Sequence, residues 1–389
     1  MSIKKKLKIG IIGSTGSVGK TSLSIISKYP KNFKVELLVC DKDYKSILIQ
    51  IKKFSPKYVF VNNKNSFELV KKKVSSKKIF ILNDYEKFKI LINFKLDKTI
   101  LAIPSTEGLR YAFLLSKHSR ELLIANKESI VCGAGILLKC AKLFKCKITS
   151  IDSEHYCIAQ SLLENKIEQI DSVYLTASGG PFLGKKRKSY LQAPIKKVVD
   201  HPKWSMGKKI SVDSATLVNK IFELIEAHIL YSLPADKIKI KIHKESIVHS
   251  AIVFKNGLVK LVAHDTTMAI PIRNSLFDNH FFSQKKNFFT SKKKITLNFE
   301  ESSLSQFEIV KTGYKVLKMG HVAWILFNVI NDSLVTKFLN KEIFFYEIVA
   351  NLIKIFKKRS IAMYCHKKIK KFSDIEQTID YGKKILEKL

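Results

Sequence analysis

Lys8-Ile-Gly-Ile-Ile-Gly13-Ser-Thr-Gly16-Ser-Val-Gly19 is the stretch that decides the fold. An apolar run of strand length passes into three glycines and then into helix-forming residues. The pattern predicts a short buried strand, a tight turn, and a helix from about Ser17 to Ser27. Glycines at 13, 16 and 19 let the backbone approach a pyrophosphate, and a helix N-terminus offers it unpaired N–H groups. The G-x-x-G-x-x-G spacing is a variant of the dinucleotide-binding fingerprint. Gly19-Lys20-Thr21 also imitates the end of a P-loop. The first glycine of that motif would fall at Ser14, however, and Lys20 lies in the first turns of the helix, so a nucleotide triphosphatase ranks below a dinucleotide binder.

Working outward, a second strand is expected at Val35–Cys40, ending in Asp41-Lys42-Asp43. A dinucleotide fold reads the adenosine ribose there: acids suit a free 2′-hydroxyl, a base suits a 2′-phosphate, and this chain offers both. Further strands are expected at Tyr58–Val61, Ile79–Leu82, Thr99–Ile103 and Leu122–Ala125, separated by helix-like segments, as in a doubly wound parallel α/β sheet. Ala125-Asn-Lys-Glu-Ser129 follows the last strand, which puts Asn126, Lys127 and Glu128 at the carboxyl edge where ligands bind. The plainer alternative is a strand-to-helix turn with Asn126 as its cap.

A second chemistry-bearing region runs from Ile148 to Glu223. Ile148–Ile151 reads as a strand entering Asp152-Ser153-Glu154. Residues two apart on an extended chain face the same way, so the two carboxylates are expected to converge and to call for a hard divalent cation. An exposed acidic turn is the common alternative. Val173–Ala177 reads as a strand ending in Ser178-Gly-Gly-Pro181, which suits a phosphate or is a plain turn. Ser214–Leu230 reads as one amphipathic helix capped by Ser214, with Asn219, Lys220 and Glu223 on a shared face. Surface pairing of Lys220 with Glu223 is the bland account. The His201–Gly207 loop, with Trp204 and Met206, reads as a lid or as a place where a tryptophan packs into the core. His249, His264 and Asp265 suggest polar work, with a satisfied core histidine as the plainer reading. Asn287–Lys294 looks like linker sequence. Phe307, Val310, Tyr314 and Leu317, and later Ile375, Ile379, Gly382, Leu386 and Leu389, follow the helix period. The expected division is residues 1–150 for cofactor binding, 151–286 as an α+β catalytic domain, 287–303 as linker, and 304–389 as a C-terminal helical bundle.

The formal charge is +37, carried by lysines spread along the chain; the arginines are only Arg110, Arg120, Arg187, Arg273 and Arg359. A nucleic-acid surface would normally use arginine for bidentate contacts. We therefore read a solvated lysine-rich surface that also attracts anionic substrates. None of the six cysteines forms a C-x-x-C pair, so neither a zinc site nor a disulfide framework is expected, and a reducing cytoplasm fits. No apolar run is expected to reach the length needed to span a bilayer, the longest, around Val322–Ile330, being interrupted by His321, Asn328 and Asn331, and Met-Ser-Ile-Lys-Lys-Lys before the first strand leaves no room for a signal or transit peptide.

Taken together, Gly13–Gly19, Ala125–Ser129, Asp152-Ser-Glu-His155, Ser178-Gly-Gly-Pro-Phe182, His201–Gly207 and Ser211–Glu223 resemble, in order and spacing, the 1-deoxy-D-xylulose 5-phosphate reductoisomerase family. The resemblance covers nearly the whole chain. It implies a Rossmann-type NADPH-binding domain, a catalytic domain and a C-terminal helical domain in a homodimer acting on a sugar phosphate. It implies Asp152, Glu154 and Glu223 as ligands of Mg²⁺, Mn²⁺ or Co²⁺. Lys127, Ser153 and Glu154 would contact the substrate backbone. Ser178, Ser214, Asn219 and Lys220 would hold its phosphate, with His201 nearby. Thr15, Gly16, Ser17, Val18, Asn126, Glu128 and Gly207 match cofactor contacts, to which Lys42 and Asp43 are added from their position. The chain departs from the family's usual pattern at Asp41-Lys42-Asp43, at Pro104-Ser-Thr-Glu107, and at Ala263-His-Asp-Thr-Thr267 before Met268. The first departure puts carboxylates where they would weaken binding of a 2′-phosphate.

Overall fold

The computed structural model describes residues 5–183, 185, 191–204, 206–279, 287–291, 294–301 and 304–387. Ser205, residues 292–293 and 302–303 of the expected linker, Leu389, and the side chain of Phe307 lie outside the described residues. The chain forms two compact units. The first comprises Met1–Ser129, Leu137–Asp152 and Met268–Phe281; the second comprises Ile130–Ile136, Ser153–Thr267 and Phe282–Leu389.

The first unit is the doubly wound fold expected. Strands β1 (Leu7–Ile12), β2 (Phe33–Cys40), β3 (Tyr58–Val61), β4 (Phe80–Leu82), β5 (Leu96–Leu101), β6 (Ser119–Ile124) and β7 (Lys147–Ser150) alternate with helices α1 (Ser17–Lys28), α2 (Tyr44–Phe54), α3 (Lys64–Lys73), α4 (Tyr85–Leu91), α5 (Glu107–His118) and α6 (Lys127–Leu143). All strand pairs are parallel, in the order β4-β3-β2-β1-β5-β6-β7. The order reverses beside β1, and such a switch point opens a crevice at the carboxyl edge. Helices cover both faces, so the strands read as continuous apolar runs. Ile9, Ile11, Leu38, Val59, Ile100 and Leu123 form the core, each contributing about 1.5–3 kcal/mol of burial. The β1–α1 turn tolerates only glycine at its ends. Gly13 has φ +88°, and a Cβ on Gly19 would lie 2.6 Å from Ser14 Cα. Helix α6 is broken at Ala134 (φ 37°, ψ −135°).

The second unit opens with α7 (Ser153–Ser161) and builds a four-stranded mixed sheet from β8 (Ile170–Ala177), β9 (Ile238–Ile242), β10 (Val248–Phe254) and β11 (Val259–Ala263), ordered β11-β10-β8-β9. Helices α8 (Ile195–Val199), α9 (Lys208–Thr216) and α10 (Val218–Tyr231) lie between β8 and β9 in sequence. Helix α11 (Ala269–Leu276) belongs to the first unit and packs on α1, with Phe277 edge-on to Tyr29 and Phe33, both at 4.9 Å. The remaining helices are α12 (Phe288–Ser291), α13 (Leu304–Met319), α14 (His321–Leu339), α15 (Phe345–Lys357), α16 (Arg359–Tyr364) and α17 (Phe372–Glu387). Leu175, Phe222 and Ile225 share one core with Leu326, Phe327 and Ile330.

Two expectations need correction. Ser214–Leu230 is not one helix. Leu217 adopts the left-handed conformation (φ 63°, ψ 4°) and separates α9 from α10, so Ser214 lies inside α9 rather than capping a helix. The buried Leu217 side chain and the Thr216 hydroxyl, which accepts the Val218 N–H across the break at 3.4 Å, hold it where local propensity would continue the helix. The expectation of no bilayer-length apolar run also fails: α14 is long and apolar enough by length and composition, although 72% of that stretch is buried inside the protein.

Candidate functional site

At the carboxyl edge of the first unit, Gly13 and Ser14 both donate backbone N–H bonds of 2.9 Å to the Val39 carbonyl, which ties the glycine turn to the end of β2. Thr15 and the N-cap Gly16 lead into α1, which starts with Ser17 and Val18, and Gly16 and Ser17 are exposed there. Lys20 is an outward-facing residue of α1, 3.8 Å from Asp43, which disposes of the P-loop reading. Asp43 accepts the Ser46 N–H at 3.0 Å and caps α2. Burial pushes its pKa up, but the bonds from Ser46 and the charge of Lys20 bring it below the usual carboxylate value. Asp41 accepts from Asn62 at 3.1 Å, and Lys42 is exposed. The acid nearest the helix is therefore committed to its own backbone, which lessens the repulsion expected from this run.

Asn126 stands at the end of β6, with its side chain bonded to Ser129 rather than capping α6. Lys127, the first residue of α6, is buried and pairs with Asp152 at 2.9 Å. Glu128 is buried beside it in the sequence.

In the second unit, Glu154 occupies the first turn of α7 and not an extended strand, so strand alternation is not what aims it. A helix N-terminus favours a carboxylate there. Lys220 and Glu223 lie near the start of α10, 5% and 0% exposed, so they do not form a surface pair. The Lys220 ammonium bonds to both Glu154 and Glu223, and Asn219 donates to Glu223. Ser153 donates to Glu154. The carboxylate oxygens of Glu154 and Glu223 lie within 4.8 Å of one another. One turn further along α10, the fully buried Glu226 pairs with His155 at 3.1 Å. An oxygen-only donor set of this kind fits a hard divalent cation.

The expected phosphate turn follows β8. Gly179 and Gly180 take φ of 81° and 68°, and a Cβ on Gly180 would lie 3.2 Å from the Ser214 carbonyl, so the turn approaches the end of α9 closely. His201 Nδ1 accepts the N–H groups of Lys203 (3.1 Å) and Trp204 (3.0 Å). Its proton therefore sits on Nε2, which donates to Ser178 Oγ at 2.9 Å. Burial pushes the His201 pKa down, consistent with a neutral ring. Ser178 Oγ also accepts from the Gly180 N–H at 3.3 Å, leaving the hydroxyl proton to donate outward. Trp204 is half-buried and edge-on to His249 at 5.9 Å. Gly207 caps α9 and Met206 precedes it.

Sequence reasoning missed several groups. Ser211 Oγ is buried without a hydrogen-bond partner among the described residues. Asp213 is held by Lys209 (2.7 Å) and by Asn331 of α14 (2.8 Å), so the C-terminal helices brace α9. His264 is not the satisfied core histidine expected, because its Nε2 has no hydrogen-bond partner among the described residues. The serine-rich pattern Ser211-Val-Asp-Ser214 signalled the first two in advance, and His264 stood out in the sequence only as one of a few groups suggesting polar work.

These features define a class: a dinucleotide-type α/β unit joined in one chain to a second unit that carries a buried, oxygen-rich polar centre. The family model described as 1-deoxy-D-xylulose 5-phosphate reductoisomerase matches residues 9–134, and its C-terminal domain models match residues 148–231 and 265–385. The 1-deoxy-D-xylulose 5-phosphate reductoisomerase of Pelagibacter ubique (strain HTCC1062) is 37% identical over 96% of this chain and 97% of its own length. That of Sulfurihydrogenibium sp. (strain YO3AOP1) is 38% identical, over 96% of each. A crystal structure of DOX-P reductoisomerase in complex with NADPH, fosmidomycin and magnesium is 28% identical, covers 97% of each chain and superposes with a TM-score of 0.90. The chain belongs to the 1-deoxy-D-xylulose 5-phosphate reductoisomerase family.

Proposed function

We propose that this chain converts 1-deoxy-D-xylulose 5-phosphate to 2-C-methyl-D-erythritol 4-phosphate, using NADPH and a divalent metal, in non-mevalonate isoprenoid precursor synthesis. The observation that carries the reading is the buried Glu154–Lys220–Glu223 cluster, in the same unit as the Ser178–His201 turn. Asp152, Glu154 and Glu223 would hold Mg²⁺, Mn²⁺ or Co²⁺. Thr15, Gly16, Ser17, Val18, Lys42, Asp43, Asn126, Glu128 and Gly207 would hold NADPH. When bound, the ion supplies Lewis-acid polarisation of the substrate ketone and the nicotinamide supplies hydride.

The chain's own residues bind, orient and shield. Lys127, steadied by Asp152, presents an ammonium to negative charge developing on a substrate oxygen. Ser153 and Glu154 contact the hydroxylated backbone. Ser178 donates its hydroxyl proton to a phosphate oxygen while His201 fixes its orientation, and Ser214, Asn219 and Lys220 complete the phosphate contacts. Binding energy from that remote phosphate orients the reacting end. The His201–Gly207 loop, carrying Trp204 and Met206, closes over the substrate and excludes water.

We further read the chain as a cytoplasmic homodimer with cofactor (1–150), catalytic (151–286) and C-terminal helical (304–389) regions in sequence and with no specific nucleic-acid or membrane partner. Support for the dimer comes from the exposed apolar residues Leu258, Val259 and Leu261 at the sheet edge β11, since unpaired edges recruit partners. The deciding assay is NADPH oxidation by the folded chain with the sugar phosphate, with and without Mg²⁺. Metal-dependent turnover is expected; its absence at saturating substrate overturns the reading.

A further inference from the structure

His264 follows β11 and is 7% exposed. Its Nδ1 lies 2.7 Å from the Asp265 carbonyl oxygen. A carbonyl can only accept, so the ring proton is on Nδ1 and Nε2 carries a lone pair. By the same reasoning His249 is protonated on Nε2, which donates to the His264 carbonyl at 3.3 Å. The two rings stack at 3.8 Å with an interplanar angle of 21°. Two charged imidazoles would repel at that spacing, and burial, the larger effect, pushes both pKa values down, that of His249 to about 3. The pair is neutral, and His264 Nε2 is a buried acceptor with no hydrogen-bond partner among the described residues. Such atoms are rare in native structures, so a donor from outside the protein is called for.

The surroundings say which donor. Tyr156, on α7 two residues past Glu154, lies edge-on to His264 at 6.3 Å. His249 in turn is edge-on to Trp204 of the proposed lid. Tyr156 and Glu154 share α7, so the His264 ring packs beside the helix that carries one carboxylate of the Glu154–Lys220 cluster. Aromatic walls with one placed polar atom suit the C–H faces and O–H groups of a polyhydroxylated chain. A metal ion is the other partner an imidazole lone pair accepts, but the carboxylates already form an oxygen set suited to a harder ion.

We infer that His264 is a substrate-recognition residue whose Nε2 accepts a hydrogen bond from a substrate hydroxyl. The inference rests on the proposed reaction.

The test compares wild type, His264→Phe and His264→Gln. Phenylalanine keeps the ring and removes the lone pair; glutamine restores an acceptor. His264→Phe is expected to raise KM for the sugar phosphate about tenfold, the value of one lost hydrogen bond to a buried acceptor. KM for NADPH stays unchanged, and His264→Gln recovers most of the loss. In wild-type protein carrying ¹⁵N-histidine, the Nε2 resonance is expected to move upfield on adding the sugar phosphate, a readout that no variant's folding can confound. An unmoved resonance overturns the inference, as does a sugar KM equal in all three proteins. A changed Mg²⁺/Mn²⁺ preference with unchanged sugar KM overturns it in favour of a metal ligand. Wild-type turnover reports separately on the reaction, so the two readings can fail independently.

Discussion

Two buried lysines, one in each unit, have nearly the same immediate chemistry. Lys98 on β5 is 4% exposed and touches Glu121 (2.9 Å) and Asp278 (2.6 Å). Lys220 on α10 is 5% exposed and touches Glu154 and Glu223. The difference lies in the partners' partners. The third contact of Lys98 is the Ser275 carbonyl in the last turn of α11, where a cation suits the helix dipole, and Glu121 is held further by Thr149 and Lys147. That arrangement staples two segments together. Around Lys220 the neighbouring groups are Asn219, the Ser153 hydroxyl and the start of α7, within a unit that also presents a glycine turn, a hydroxyl and a neutral imidazole. One lysine flanked by two carboxylates can therefore serve as a clamp or as part of a site; the surrounding groups decide which.

Substitutions can break this contrast. Glu223→Gln should leave thermal unfolding nearly unchanged while lowering NADPH oxidation by about 10²–10³-fold. Near-normal turnover at saturating Mg²⁺ would reduce Glu223 to a structural group and erase the contrast. Lys98→Met should do the reverse. The exposed Asp278 is re-solvated, but the buried Glu121 is left with only Thr149 and the exposed Lys147, which costs about 1–3 kcal/mol in denaturant unfolding, while kcat of the folded fraction is retained. Loss of kcat with unchanged stability would show that the clamp belongs to the chemistry.

Acid should separate the units. The depressed pKa of His249 means that the unfolded chain takes up a proton below about 6.5 while the folded one does not, so stability is lost as pH falls, by up to about 2 kcal/mol between pH 6.5 and 5. Glu121 behaves differently. Burial raises its pKa, but hydrogen bonds from Thr149 and Lys98 take it below the usual value, so its contribution is lost only as pH falls below about 4.5. Hydrogen exchange at pH 7 and pH 5 should show protection falling around β10 and β11 and holding around β5 and β6; equal losses would refute the distinction. The smallest effect is expected at an exposed lysine. Lys42→Ala should raise KM for NADPH about two- to fivefold and leave NADH unaffected, because a solvated charge contributes little. An equal change with NADH would mean that Lys42 does not read the 2′-phosphate.

Much of this was legible in the chain before any coordinates. The glycine turn, the strands of the parallel sheet and the acidic and serine-rich runs are local patterns, and local patterns map directly onto strands, turns and helix starts. The break at Leu217 was not legible, because a buried leucine in a left-handed conformation is held by its packing and by the Thr216 hydroxyl against its own helical preference. Glu154 was expected on a strand and instead starts a helix, so the right residue was reached through the wrong geometry. Lys98 looked like one more surface lysine, since its partner Asp278 is far away in sequence.

By itself the sequence determined where strands, turns and helices begin, and which segments carry acids, hydroxyls and glycines, because periodicity and turn chemistry act over a few residues. Only the tertiary structure decided which charges are buried together. Lys220 became a bridge between two carboxylates, and His264 kept an unmatched lone pair, because burial and hydrogen-bond pairing depend on neighbours supplied by distant parts of the chain.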